Sequence, residues 1–250
     1  MNRTALITGA SSGIGAEYAR QLSAKGADVV LVARDEKALR ALADEIAGRG
    51  GRAEILVADL LDDAQRRRVE ERLEQGIDLL VNSAGYGLPL AFEENDIEGE
   101  ARHLELHVEV TMRLTRAALP TMLSRGSGRI LNIASVAGLV PRGTYGAAKA
   151  WVVSFSRWAN TVYGPRGVTV TAVCPGYVHT NFHERLGLPP GEEGVLGGMW
   201  LNATQVVRES LRDAARGRAV SIPSLRYKAL TSLARLLPDR IVVAVASRGR

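Results

Sequence analysis

The strongest constraint in this 250-residue chain is a repeating alternation. Short, largely apolar and β-branched runs are each followed by a segment whose apolar residues recur at helical spacing. The runs are Thr4–Thr8, Asp28–Ala33, Ala53–Ala58, Ile77–Asn82, Arg129–Ala134, Val168–Val173 and Ala219–Ile222, with segments such as Glu36–Ala47 and Ala64–Leu73 between them. Strands that lack polar alternation have both faces buried, and a helix after each strand returns the chain for parallel pairing. The predicted fold is α/β: a doubly wound parallel sheet of about seven strands with helices on both faces. There is no internal repeat or linker, so one domain spanning 1–222 is expected, followed by a tail at 223–250.

The first strand runs into Thr8-Gly9-Ala10-Ser11-Ser12-Gly13-Ile14-Gly15, followed by a helical pattern. Glycines permit a tight turn and close backbone approach, and the helix start offers unpaired N–H groups to a pyrophosphate. Alone, such a turn could be only a strand–helix connection, a reading that the strand-turn-helix context disfavours. The arrangement predicts a Rossmann-type dinucleotide site. Downstream, Tyr145 and Lys149 stand four apart in Thr144-Tyr145-Gly146-Ala147-Ala148-Lys149, a spacing that puts both on one helix face. A phenol titrates near ~10, and an ammonium beside it favours the phenolate, which would bring Tyr145 nearer a working pH. Ser135 follows the strand Arg129–Ala134, at the strand end where open α/β sheets bind ligands.

Taken together these motifs resemble the short-chain dehydrogenase/reductase family, over about Arg3 to Ile222. The resemblance rests on Thr-Gly-x-x-x-Gly-x-Gly, Asp59-Leu60, Asn82-Ser83-Ala84-Gly85, Ser135, Tyr145-x-x-x-Lys149 and Pro175-Gly176. It implies an oxidoreductase that interconverts a carbonyl and an alcohol by hydride transfer. Tyr145 would move the proton, Lys149 would hold the nicotinamide ribose, and Ser135 would hydrogen-bond the substrate oxygen. It also implies a cofactor site of Gly9, Ser11, Ser12, Gly13, Ile14, Gly15, Asp59, Leu60, Asn82, Ala84, Gly85, Pro175, Gly176, Val178 and Thr180, together with Tyr145 and Lys149. Within that site Asp59 would bind the adenine, and Thr180 the carboxamide.

The end of the second strand reads Val32-Ala33-Arg34-Asp35, with Ala33 where NAD-specific members would carry an acid. Arg34 can pair with a 2′-phosphate, so NADP(H) is the expected cofactor, unless Asp35 competes for the guanidinium or Arg34 is only a solvated surface residue.

The sequence departs from the family's pattern at Ser83, where many members have a second Asn, and in two further places. Ser135 and Tyr145 are separated by fewer residues than in most members, which reads as a trimmed loop at Leu139–Gly143. His107 falls where an Asn often completes a proton relay. Imidazole can donate and accept, so His107 is either a relay substitute or a helix histidine with no catalytic part.

Between Tyr177 and Trp200 lie Phe182, Leu186, Leu188, Val195, Leu196 and Met199. These either cover a hydrophobic small-molecule substrate or simply pack the loop (176–200) onto the domain. The net charge of +5 hints at nucleic acid, but eight basic residues and one acidic residue lie from Arg216 onward. That leaves 24 basic and 26 acidic residues before it, so the excess belongs to the tail and no nucleic-acid role is expected. In the tail, Lys228, Thr231, Ser232 and Arg235 share a stripe, with Leu225, Leu230, Leu233, Leu236 and Leu237 largely on other faces. The leucines would pack on the domain or a partner subunit; alternatively the tail makes weak contact with an anionic membrane surface.

A single cysteine, Cys174, allows no internal disulfide and reads as buried and structural. With no leader before the first strand, a cytoplasmic protein is expected, membrane-peripheral only if the tail binds lipid. Preference for Arg over Lys points to a GC-rich bacterial genome, and a homo-oligomer formed through the long helices is expected from the resemblance. The rival reading is a non-catalytic NADPH-binding regulator or scaffold.

Overall fold

The computed structural model describes residues 3–89, 91–180, 197–234 and 236–246. Seven parallel strands form one sheet in the order β3-β2-β1-β4-β5-β6-β7. They are β1 (Thr4–Thr8), β2 (Asp28–Ala33), β3 (Ala53–Val57), β4 (Leu79–Asn82), β5 (Gly128–Ile133), β6 (Val168–Val173) and β7 (Val220–Ser221). The expected strands are all present. The fourth starts at Leu79, two residues later than expected; Asp78 just before it is tied to Thr4, its carboxylate accepting the Thr4 N–H and its own N–H donating to the Thr4 carbonyl, both at 2.8 Å. The helices are α1 (Gly13–Ser23), α2 (Glu36–Gly48), α3 (Asp63–Glu74), α4 (Ile97–Leu104), α5 (Val110–Ser124), α6 (Gly143–Tyr163), α7 (Ala203–Ala215), α8 (Leu225–Ala234) and α9 (Asp239–Ala246).

Side-chain caps start several helices. Asp35, Asp62 and Asn202 accept backbone N–H groups from Ala38, Gln65 and Thr204 at 2.8 to 3.0 Å. Each satisfies a donor that the first helical turn leaves without a partner. Two apolar layers sandwich the sheet. One centres on Ile7, Tyr18, Leu31, Leu39 and Val206, the other on Leu6, Val30, Leu73, Leu114 and Ile130. Alternate residues of β1 and β2 feed opposite layers, as a sheet covered on both faces requires. Cys174 is fully buried, as expected.

The tail orients differently from the expectation. Tyr227 is buried against Gly176, its hydroxyl accepting the Tyr177 N–H at 3.0 Å and donating to the Met199 carbonyl at 2.8 Å. Thr231, one turn on, is also buried. Leu225, Leu230, Leu233, Leu236 and Leu237 are therefore exposed rather than packed on the domain. A buried tyrosine with both hydrogen-bonding roles satisfied decides which face points inward. Arg235 and the loop residues Phe182, Leu186, Leu188, Val195 and Leu196 lie outside the described residues. No helix among the described residues is long and apolar enough to cross a membrane.

Candidate active site

Strand order reverses between β1 and β4, because β1 pairs with β2 on one side and β4 on the other. A crevice must open there at the carboxyl ends of the strands. A single cleft of about 770 Å³ occupies that edge. Such a volume is in the upper part of the range for small-molecule sites, about 300–1,000 Å³.

One wall is backbone. Gly9 has φ +66°, and a Cβ on it would lie 2.9 Å from the backbone of Ser83 and Ala84. A Cβ on Gly15 would collide with the Gly9 carbonyl. These two positions let the β1–α1 turn fold tightly and bring the start of α1 to the cleft. Thr8 ties the turn to the next strand: its hydroxyl oxygen accepts the N–H groups of Ser83 and Ala84 at 3.0 and 3.1 Å. Ser11, Ser12, Gly13 and Ile14 line the same wall, and Leu60, Ala84, Gly85, Pro175, Gly176, Val178 and Thr180 also face the cleft. A glycine cradle beside a helix start fits the pyrophosphate of a dinucleotide. Asn82 does not reach it. It is buried behind the cleft, its Nδ2 donating to Asn132 Oδ1 at 2.9 Å, and so braces β4 against β5.

At the end of β2, Arg34 is largely exposed, with its Nη1 3.7 Å from the Asp59 carboxylate. Asp35 is not the competitor that its sequence position suggests, because its carboxylate caps α2. Asp59 also accepts the Leu61 N–H at 3.0 Å, which fixes its side chain at the rim.

The opposite end holds the side chains of chemical interest. Ser135, Tyr145, Lys149 and His107 all line the cleft. The short segment after Ser135 is a 3₁₀ turn, Val136–Leu139, that leads directly to α6. Ser135 opens that turn, its oxygen accepting the Ala137 N–H at 3.1 Å. Trimming the loop has kept both ends at the cleft. Lys149 Nζ donates to the Ile133 carbonyl at 2.6 Å and lies 5.7 Å from the centre of the Tyr145 ring. Burial lowers its pKa from the usual lysine value to about 7.

His107 lies in a π-helical turn, Glu105–Glu109, joining α4 to α5. Its Nε2 donates to the Tyr86 carbonyl at 2.8 Å, and its ring centre is 5.9 Å from that of Tyr145. His103, one turn earlier, packs 4.3 Å from His107 and 5.8 Å from Tyr145, ring centre to ring centre. Both histidines are buried, and burial holds both below the ordinary imidazole pKa, His103 at about 4, with the Lys149 charge adding to the effect. They are neutral at physiological pH. Sequence reasoning missed His103, Tyr86 and Arg142. The His103–His107 spacing of four was the available signal for the first.

A dinucleotide-sized cleft at the switch point of a parallel sheet, with a glycine cradle at one end and a serine, tyrosine and lysine at the other, defines a nicotinamide-dependent oxidoreductase. The short-chain dehydrogenase family model matches residues 3–189, and the chain belongs to that family. Oxidoreductase UcpA of Escherichia coli (strain K12) is 36% identical over 208 residues, covering 79% of this chain and 78% of its own. A short-chain dehydrogenase from Sphingobium yanoikuyae, solved in complex with NADPH, superposes with a TM-score of 0.82 at 36% identity, covering 93% of this chain and 94% of that one. A bulky-bulky ketone specific alcohol dehydrogenase from Comamonas testosteroni gives 0.79 at 32% identity, with 93% and 92% covered. The chain is thus an oxidoreductase with relatives in bacteria, acting on a small molecule with a nicotinamide cofactor.

Proposed function

We propose that this enzyme uses NADP(H) to interconvert a ketone and a secondary alcohol on a hydrophobic small molecule, with Tyr145 as the general acid/base. The observation that carries the reading is one continuous cleft lined by the glycine turn and Arg34 and also by Ser135, Tyr145 and Lys149. When bound, the cofactor supplies or accepts the hydride. In reduction, the Ser135 hydroxyl orients the carbonyl oxygen and Tyr145 delivers its phenolic proton to that oxygen as the C–H bond forms. In oxidation, the phenolate takes the proton back. Lys149, 5.7 Å from the centre of the Tyr145 ring, would use its remaining N–H donors to hold the ribose hydroxyls. His107, neutral and with Nε2 on the Tyr86 carbonyl, keeps a buried Nδ1 without a hydrogen-bond partner as the acceptor of a relay.

Two relatives support the finer assignments. The Sphingobium enzyme is in complex with NADPH, and the Comamonas enzyme is specific for bulky ketones. Arg34 supports NADP(H) over NAD(H) because Ala33 puts no acid at the end of β2, the Asp35 carboxylate is turned to the start of α2, and the largely exposed guanidinium, 3.7 Å from Asp59, is free to turn to a 2′-phosphate. The apolar lining residues Val136, Ala137, Tyr86 and Leu106 support an apolar substrate body. On α6, the rings of Trp151, Phe155 and Trp158 form a stacked row, and Trp158 is 54% exposed. A partly exposed aromatic row on a long helix suits a subunit interface, so we read the protein as a homo-oligomer. The domain is read as 1–222, with 223–250 as an appended tail anchored by Tyr227.

Calorimetric titration of the purified protein with NADPH and with NADH tests the cofactor assignment. NADPH is expected to bind more tightly, and Arg34→Ala to weaken NADPH by about 10-fold while sparing NADH, the size of one partly screened charge-assisted contact. Equal binding of both cofactors by the parent protein would remove Arg34 from the argument. Binding of NADPH with no turnover of any ketone would favour a regulator.

A further inference from the structure

Charge is unevenly distributed around the cleft. Its acidic lining residues, Asp35 and Asp59, both lie beside Arg34, at the ends of β2 and β3. At the opposite end the charged residues among the described ones are Lys149 and Arg142. Lys149 is buried and committed to the Ile133 carbonyl. Arg142 is half-buried on the cleft wall, immediately before α6.

Its guanidinium donates to the Tyr177 hydroxyl through Nη2 at 3.3 Å, and among the described residues no carboxylate lies within 4.0 Å of it. A guanidinium carries five N–H donors in a planar fork, so one long bond to a neutral hydroxyl leaves most of its capacity unused. An anion in the cleft would complete the remaining donors.

Its position is also fixed. Tyr177 is held by the Tyr227 hydroxyl on its N–H at 3.0 Å, and Tyr227 is itself fastened to the Met199 carbonyl. The Arg142 stem lies against the first turn of α6, its Cβ within 3.1 Å of where a Gly146 Cβ would stand. The tail thus braces Tyr177, and Tyr177 holds the guanidinium one helical turn before Tyr145.

We propose that Arg142 binds a carboxylate on the substrate, so that the substrates are oxo acids and hydroxy acids with an apolar body. The inference rests on the carbonyl–alcohol reading above and names its substrate class. A carboxylate matches the fork bidentately. It is favoured over a phosphate because, among the described lining residues, the only other cation at this end is Lys149, which is buried on the Ile133 carbonyl, so one guanidinium balances one negative charge. Arg142 and Tyr145 line the same cleft, so acids that differ in the spacing between carboxylate and carbonyl are the natural probes.

The test compares NADPH oxidation by 3-, 4-, 5- and 6-oxodecanoate with that by their methyl esters, in the parent protein, Arg142→Gln and Arg142→Lys. For at least one acid, kcat/KM should exceed that of its ester by roughly 10- to 100-fold, the range for a hydrogen-bonded charge pair. Arg142→Gln should bring the acid-to-ester ratio towards one, mainly through KM, and Arg142→Lys should restore part of it. Acid and ester used equally by the parent overturn the proposal. So does a loss in Arg142→Gln that falls equally on both, which would make Arg142 only a prop for Tyr177. If no acid or ester is reduced, the carbonyl-reductase reading is what fails. In that case calorimetry with decanoate in the presence of NADP⁺ still decides this inference: binding lost in Arg142→Gln supports it, and no binding, or binding unchanged in the variant, overturns it.

Discussion

Lys149 is buried with its ammonium on one backbone carbonyl, and its pKa falls to about 7 from 10.5. In the unfolded chain the same group titrates near ~10.4, so between these values the unfolded state binds the extra proton. Stability must therefore rise with pH across that window. Integrated from pH 7 to pH 9, this one group contributes about 2 kcal/mol of added stability, at about 1.4 kcal/mol per pH unit away from the folded midpoint. Other groups titrate over the same range, so the quantity to measure is a difference. Urea unfolding of the cofactor-free protein, followed by tryptophan fluorescence at pH 7 and pH 9, is compared with the same experiment on Lys149→Met. Methionine keeps the aliphatic stem and removes the charge. The parent should gain about 2 kcal/mol more than the variant on going to pH 9. An identical pH dependence in the two proteins would show that Lys149 keeps an ordinary pKa. The account of a desolvated ammonium beside Tyr145 would then be wrong.

Tyr145→Phe should lower kcat by at least about 100-fold, the usual worth of a general acid, while calorimetric NADPH affinity stays within a few-fold; retained turnover would assign the proton to another group. His107→Ala should lower kcat and displace its pH profile if the relay operates, and unchanged turnover at every pH would remove His107 from it. Burial holds His103 at about 4 and His107 well below the ordinary value, so the unfolded state binds more protons below pH 6.5. Stability should consequently fall between about pH 6.5 and 4, by up to ~3 kcal/mol for His103, and His103→Phe should flatten that slope in urea titrations. The exposed leucines of α8 stand beside Arg226, Lys228 and, in α9, Arg240. Co-sedimentation with phosphatidylserine vesicles but not phosphatidylcholine vesicles, lost on deletion from Lys228, is the outcome expected if the tail meets an anionic membrane, and its absence ends that idea.

The sheet, the glycine cradle and the Tyr145–Lys149 pair were legible because each depends on spacing along one element or one turn. Burial is not a property of spacing, so the lowered Lys149 pKa was not readable. The expectation of an ammonium activating Tyr145 therefore omitted the cost of charging that lysine. Arg34 illustrates a signal that was present but unused. Ala33 pairs with Val57 across parallel strands, so the residues just beyond each strand come together, and Asp59 rather than the adjacent Asp35 meets the guanidinium. The tail's periodicity separated a leucine face from a polar stripe without indicating which was inside. Tyr227 decided that, through partners about 50 and 28 residues away in the chain.

These differences follow from how the two ends of the cleft are built. The cofactor end is largely main chain: Gly9 and Gly15 are required because any Cβ there would strike backbone, and that demand leaves a mark in the sequence. The chemical end is built from side chains delivered by several elements. His107 comes from a π-helical turn, Tyr145 and Lys149 from α6, and Tyr177 from a segment locked by the tail. Residues that share a helix keep a readable spacing, whereas Arg142 and Tyr177 meet only because Tyr227 fastens the segment after β6. Substrate selection should therefore vary through such distant contacts while the cofactor cradle stays fixed. A substitution of Tyr227 should accordingly disturb the oxo-acid preference through Tyr177 and Arg142 before it disturbs NADPH binding.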